Sequence, residues 1–99
     1  MTYVVQLTLP KKVTAIESGL FSYCVKLTKL HIGEQVTFIG EAAFEGCSTL
    51  SVYIEGAETS LGKDVFLSCE GSNYKIYCKK GSVAEKYAKE NKIKYSQIK

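Results

Sequence analysis

The stretch LTKLHIGEQVTFIGEAAFEGCSTL, residues 27–50, holds one complete copy of a pattern that the 99-residue chain repeats. Its segment FEGC (44–47) recurs as FSYC (21–24) on one side and FLSC (66–69) on the other, a spacing of 22 to 23 residues. Periods of roughly 20–50 residues are typical of solenoids, in which each repeat buries its apolar face only against its neighbours. The repetition therefore predicts a stack of similar units.

Apolar residues occupy the same columns in every copy, while the residues between them vary. The columns are Val4, Leu27 and Leu50; Leu7, Leu30 and Val52; Leu9, Ile32 and Ile54; Ile16, Ile39 and Leu61; Phe21, Phe44 and Phe66; and Cys24, Cys47 and Cys69. Positions that face a shared core behave in this way. We therefore expect the phenylalanines and cysteines of successive copies to stack into one hydrophobic spine.

Each copy is expected to contain a strand, a turn, a second extended stretch and about one helical turn. LTKLHI (27–32) alternates with the period of a half-buried strand, Gly33 permits a change of direction, and GEAAFEGC (40–47) would form the helical turn. The third copy departs from this pattern because Glu58 aligns with buried positions. A buried lone carboxylate is costly, so we expect the backbone to slip and either Ala57 or Thr59 to point inward.

The outward residues of the strands form a candidate protein-binding face. Its members are Gln6, Thr8, Lys29, His31, Ser51, Tyr53, Lys75 and Tyr77. Tyr provides a large, rigid contact area and is enriched in binding hot spots. Outward Tyr is also favoured on exposed sheets without any binding role, and both interpretations stay open for this face.

The end of the chain differs in character from the repeats. SVAEKYAKEN (82–91) predicts a helix that begins at Ser82, with Glu85 completing a capping box. Its apolar stripe is Val83, Ala84, Tyr87 and Ala88, and its last residue, Asn91, suits the left-handed conformation that often ends a helix. IKYSQI (93–98) alternates as a final strand. We therefore divide the chain into three repeats (1–72) and a last strand with a helix–strand cap (73–99).

Four cysteines in a short chain raise the alternatives of disulfides and zinc. Cys24, Cys47 and Cys69 share one column, and no CxxC pair or nearby His accompanies them. Stacked strands lie within disulfide reach, so distance alone leaves oxidation open. Side chains in such a ladder run parallel rather than toward each other, which favours buried free thiols at these positions and at Cys78.

Composition and motifs point away from catalysis, cofactors and nucleic acid. The single histidine, His31, lacks a neighbouring nucleophile and orienting group, and the chain has no phosphate-binding or metal-binding motif. The net charge is +3, with eight of the thirteen lysines in residues 75–99. Arginine, the residue best suited to phosphate recognition, is absent, so we interpret these lysines as solvating the cap rather than binding nucleic acid. We expect no membrane span and see no signal peptide in this sequence.

The ordered series Leu-x-x-Leu-x-Ile, Val-Thr-x-Ile and Phe-x-x-Cys in residues 27–50 resembles the BspA-type leucine-rich repeats found on bacterial surface proteins and in some parasitic protists. The resemblance covers about residues 1–72, and residues 77–98 resemble the segment that often closes such arrays. It implies an α+β fold in which a right-handed solenoid of short strands and short helical turns ends in a helix–strand cap. It also implies a location at the cell surface or outside the cell.

The resemblance further implies a noncatalytic module that acts in adhesion or binds a host or matrix protein. The alternative is a structural spacer or terminal lid of a longer protein whose activity lies elsewhere. A further expectation is self-association, because nothing in the sequence covers Val4, Leu7 and Leu9 at the N-terminal repeat.

Overall fold

The structure, a computed structural model, describes residues 5–69 and 73–98. Within them the chain is an α+β protein of short strands. The strands are β1 (Val5–Thr8), β2 (Ala15–Ile16), β3 (Leu27–Ile32), β4 (Phe38–Ile39), β5 (Ser51–Ile54), β6 (Ser60–Leu61), β7 (Lys75–Cys78) and β8 (Tyr95–Gln97), and one helix, α1 (Val83–Glu90), lies between β7 and β8.

The strands form two parallel sheets whose order follows the repeats. One sheet has the order β1-β3-β5-β7-β8 and the other the order β2-β4-β6. The register pairs residues of one sequence column, since Leu30 lies opposite Val52 and Ile39 lies opposite Leu61. The chain is thus a β-solenoid of about four turns. We call each circuit a rung: rung 1 holds β1 and β2, rung 2 holds β3 and β4, rung 3 holds β5 and β6, and rung 4 begins with β7.

The predicted hydrophobic spine is present in the core of the solenoid. The rings of Phe21 and Phe44 lie 6.0 Å apart, those of Phe44 and Phe66 lie 5.5 Å apart, and Tyr74 stacks on Phe66 at 4.8 Å. Phe44 is completely buried, and so are the strand residues Leu30 and Val52. Aromatic pairs at these separations stabilise a core beyond their buried area. The Phe column is therefore confirmed, and Tyr74, which directly precedes β7, covers its last ring.

The expected helical turn around each phenylalanine is wrong. These segments (17–24, 40–47 and 62–69, here called the Phe segments) are successive tight turns, with positive φ at Gly19, Ala42 and Asp64 and again at Tyr23, Gly46 and Ser68. A right-handed helix cannot contain left-handed residues. Hydrogen bonds to the next rung replace those of a helix. The N–H groups of Phe21 and Phe44 donate to the carbonyls of Ala43 and Val65 in the next rung at 3.0 and 2.9 Å. The Phe segments therefore bond between rungs rather than along a helix.

Rungs lie so close together at one corner that two positions require glycine. A side chain at Gly40 would begin 2.5 Å from the backbone nitrogen of Ser18, and one at Gly62 would begin 2.8 Å from that of Glu41. Both distances are shorter than real side chains tolerate. The backbones of successive rungs therefore touch directly where the second sheet leads into the Phe segment.

Rung 3 slips in the way that its irregular sequence predicts, and Thr59 rather than Ala57 points inward. Thr59 is 2% exposed, and its hydroxyl donates to the carbonyl of Val36 at 2.7 Å, whereas Ala57 and Glu58 are exposed. The hydrogen bond compensates the hydroxyl for its burial. The regular register resumes at the next residue, since Ser60 lies opposite Phe38 and Leu61 opposite Ile39.

The last helix and strand follow the prediction in outline. Ser82 caps α1 by accepting a hydrogen bond from the N–H of Glu85 at 3.1 Å, and β8 pairs in parallel with β7. Helix α1 contacts both β6 and β7. The boundary between repeats (1–72) and cap (73–99) stays a prediction.

Two details of the predicted helix are wrong. Val83 is 40% exposed, while Glu85 is buried. Its carboxylate is compensated by hydrogen bonds from the Gly81 N–H and the Gln97 side-chain amide at 3.0 and 3.1 Å. Asn91 has a φ of −103°, and the left-handed residue is Lys92. The side-chain amide of Asn91 donates instead to the carbonyl of Tyr87.

Candidate protein-binding face

All eight predicted face residues lie on the outer surface of the five-stranded sheet, in two rows that cross the strands. The parallel register places them side by side, since side chains two residues apart on a strand share one face. The first row, here called the lysine row, contains Gln6, Lys29, Ser51 and Lys75. The second, here called the aromatic row, contains Thr8, His31, Tyr53 and Tyr77.

The aromatic row is a continuous stack of three rings. The rings of His31 and Tyr53 lie 4.7 Å apart, and those of Tyr53 and Tyr77 lie 4.3 Å apart with only 5° between their planes. Burial, together with the neighbouring Tyr77 hydroxyl, raises the pKa of Tyr53. Because Tyr53 has a stacked ring on each of its faces, the neighbouring rings restrict its rotation, and the row forms one packed aromatic ridge across three strands.

Lysines lie against this stack. The ammonium nitrogen of Lys29 is 5.5 Å from the centre of the Tyr53 ring, and that of Lys75 is 4.9 Å from the centre of the Tyr77 ring. Cations within about 6 Å of a ring centre are attracted to its face. The face therefore combines positive charge with aromatic area in a fixed arrangement.

Sequence reasoning missed two members of the face. Ser96 of β8 pairs with Tyr77 and extends the aromatic row. Because Tyr95 pairs with Ile76, the preceding residue Lys94 lies beside Lys75 and extends the lysine row. Its side chain is exposed. The alternation of IKYSQI (93–98) carried this signal, but the prediction assigned the segment only to the cap.

A second surface, the N-terminal end, is apolar. Leu7, Leu20 and Val25 are 38%, 52% and 64% exposed. An open cavity of about 450 Å³ lies among Leu7, Phe21, Tyr23 and Val25. This is the region where the sequence predicts self-association, although Val4 lies outside the described residues. Within the described part of the chain no further rung covers this end, because β1 and β2 are the first strands of their sheets.

The cysteines are free thiols throughout the described residues, and their burial differs from the prediction. Cys47 and Cys78 are buried, but Cys24 and Cys69 are only half-buried because each lies near an end of the Phe segment stack. The thiols of Cys47 and Cys69 donate to the carbonyls of Phe21 and Phe44 at 3.0 and 3.3 Å. Burial raises the pKa of Cys47, Cys69 and Cys78, which disfavours the nucleophilic thiolate form.

Metal-ligating side chains do not gather on residues 5–69 or 73–98 in any group of three that could hold an ion. His31 contacts the Tyr53 ring and has Thr8 as its other row neighbour. Among the same described residues, α1 is far too short to cross a bilayer. No helix there has the length and apolar character of a membrane span.

Stacked rungs of parallel strands, a phenylalanine spine and an ordered outer face define a repeat protein of the solenoid class. The chain belongs to the BspA type leucine-rich repeat family, whose model matches residues 1–99 in six copies. The resemblance seen in residues 27–50 is thus confirmed. No curated protein and no solved structure matches the chain. Leucine-rich repeat families are typically noncatalytic.

Proposed function

We propose that the chain is a noncatalytic protein-binding module and that the lysine and aromatic rows form its binding face. The stack of His31, Tyr53 and Tyr77 carries this proposal. Ordered aromatic side chains lose little conformational entropy when a partner covers them, which favours binding. By resemblance to its family, we place the module at the cell surface or outside the cell, where its partner is a host or matrix protein and its role is adhesion.

The proposal is tested with the double substitution Tyr53→Ala and Tyr77→Ala. Both side chains lie outside the hydrophobic core, so the variant should stay folded by circular dichroism. In a pull-down from purified matrix proteins, we expect the wild-type chain to retain a partner and the double variant to lose it. Phe38→Ala is the matched control, because Phe38 is an aromatic residue 44% exposed on the other sheet. Equal retention by all three chains would contradict the face assignment.

The alternative proposal is a terminal lid of a longer protein. It is favoured by α1, whose Val83 N–H donates to Ala57 in rung 3 at 3.0 Å, and whose Tyr87 hydroxyl accepts a hydrogen bond from Val65 at 3.1 Å. In this proposal α1 and β8 cap the core, and the solenoid is right-handed like other parallel crossovers. A neighbouring domain that loses activity or melts earlier when residues 1–99 are removed would support the lid over the binding module.

A further inference from the structure

We propose that the lysine row selects an acidic segment of the partner protein, whose carboxylates pair with Lys29, Lys75 and Lys94. This inference rests on the proposed function, because it assigns the chemistry of the partner that the same face would bind. It follows from three observations: the charge of the rows, the spacing of the lysines and the order that the aromatic row imposes.

The two rows carry positive charge and no carboxylate. From β1 to β8 the lysine row reads Gln6, Lys29, Ser51, Lys75 and Lys94, and the aromatic row reads Thr8, His31, Tyr53, Tyr77 and Ser96. The salt bridges among the described residues join Lys79 to Glu34 and Lys89 to Glu85, and both lie off these rows. The three row lysines thus present positive charge that no carboxylate of the described residues neutralises through a salt bridge.

The lysines stand at intervals that an extended peptide can match. Neighbouring strands of a sheet are about 4.8 Å apart, so Lys75 and Lys94 are separated by about one strand spacing and Lys29 and Lys75 by about two. An extended peptide places every second side chain on the same side at about 7 Å, and flexible lysine side chains accommodate the difference. A peptide that crosses the strands with an acidic residue at alternate positions would meet all three ammonium groups.

The aromatic row positions two of the three lysines before the partner arrives. Lys29 and Lys75 already lie over the Tyr53 and Tyr77 rings at 5.5 and 4.9 Å. Ordering side chains in advance reduces the entropy that association would otherwise remove. The rings also offer apolar contact to the peptide backbone and to the methylene groups of Glu, so the two rows act as one site.

Carboxylates fit the row better than the phosphates of a nucleic acid. Phosphate recognition favours arginine, whose planar group binds two oxygens at once, and the chain contains no arginine. A single line of lysines suits a narrow acidic peptide rather than a broad polyanion.

The test measures fluorescence anisotropy with an eight-residue labelled peptide of alternating Glu and Ser. A peptide of alternating Gln and Ser is the neutral control, and a labelled thymidine oligonucleotide is the polyanion control. The face variant carries Lys29→Gln, Lys75→Gln and Lys94→Gln. A charge-matched variant carries Lys12→Gln, Lys63→Gln and Lys86→Gln, all exposed positions off the two rows.

We expect the acidic peptide to bind the wild-type chain, to weaken as salt increases, and to lose about tenfold in affinity in the face variant, because each exposed ion pair contributes only a few-fold. The charge-matched variant should lose less than about twofold. Equal losses in both variants would overturn the inference by showing attraction to net charge alone. Tighter binding of the oligonucleotide than of the acidic peptide would overturn it in favour of a nucleic-acid surface.

The outcome is distinguishable from that of the proposed function. If the Tyr53→Ala and Tyr77→Ala variant loses its protein partner while the lysine face variant keeps it, the binding face stands and the acidic segment is wrong. If the acidic peptide binds as expected but the tyrosine variant retains every protein partner, the peptide site stands and the proposed role of the aromatic row is wrong.

Discussion

The thiol of Cys47 donates a hydrogen bond to the backbone carbonyl of Phe21 in the preceding rung, with sulfur and oxygen 3.0 Å apart. Cys69 makes the same bond to Phe44 at 3.3 Å. The two repeated columns of the sequence are thus joined to each other across rungs. Cysteine fits because its small side chain packs as an apolar group while its S–H satisfies a carbonyl.

This arrangement predicts a loss of stability at alkaline pH. Burial raises the pKa of Cys47 and Cys69 in the folded chain, whereas an exposed thiol has a pKa near 8.5. Between these values the folded state binds more protons than the unfolded state. The contribution of these thiols to the free energy of unfolding is therefore fully present below about pH 8.5 and is lost as pH rises through the folded pKa. Urea unfolding from pH 7 to 10 measures the slope. Cys47→Ala should make the slope shallower, and an unchanged slope would contradict the assignment.

Glu85 predicts the opposite behaviour in acid. The pKa of its carboxyl is lowered by hydrogen bonds from the Gly81 N–H and the Gln97 side chain. The positive charge of the nearby Lys89 lowers it further. A lowered folded pKa contributes stability above the unfolded pKa, near 4.3, and that stability is lost as pH falls through the folded value. Glu85→Gln should therefore be destabilised at pH 7 and lose less on acidification than the wild type. Glu90→Gln, exposed on the same helix, is the control and should follow the wild-type profile.

The phenylalanine spine predicts a large effect from a single truncation. Phe44→Ala should lower the free energy of unfolding by about 3–5 kcal/mol, because it leaves a cavity between Phe21 and Phe66. Phe38→Ala removes the same side chain from an exposed position and should change stability by about 0.5 kcal/mol. Chemical denaturation of both variants makes the comparison. A similar loss in the two variants would refute the spine as the source of stability.

The slipped rung predicts a contrast between two hydroxyls. Thr59 donates to Val36 in a buried position, while Ser60 donates to Thr37 at 3.3 Å in an exposed one. Thr59→Val should cost about 1–3 kcal/mol, since it leaves the Val36 carbonyl buried without a partner. Ser60→Ala should cost far less, because water replaces the lost bond. Thermal unfolding of the two variants distinguishes them, and equal costs would exclude the buried hydrogen bond as the cause.

The apolar N-terminal end predicts concentration-dependent self-association. Leu20 and Val25 are more than half exposed, and β1 is an edge strand within the described residues. Sedimentation velocity should show a dimeric fraction that increases with protein concentration. Leu20→Ser with Val25→Ser should shift the chain to monomer, whereas Phe38→Ser should not. Wild-type monomer at every concentration would contradict the prediction.

The sequence predicted the spine and the face because both follow from one geometric rule. Residues of one column in a parallel stack must lie side by side, so the repeat of Phe21, Phe44 and Phe66 sufficed to place their rings together. The left-handed turns escaped prediction because Ala42 and Asp64 carry no glycine signal. The burial of Glu85 instead of Val83 depends on Gly81 and Gln97, and helical periodicity contains no information about such partners. Lys94 was missed because its strand was interpreted only as part of the cap.

Strand pairing joins each rung only to its sequential neighbours, and the two ends of the described chain are held unequally. At one end α1 and β8 fasten rungs 3 and 4 through the bonds of Val83, Tyr87 and Glu85. At the other end β1 is held on one side alone within the described residues. Within the described residues we therefore expect β1 to open before β7 when the chain is heated.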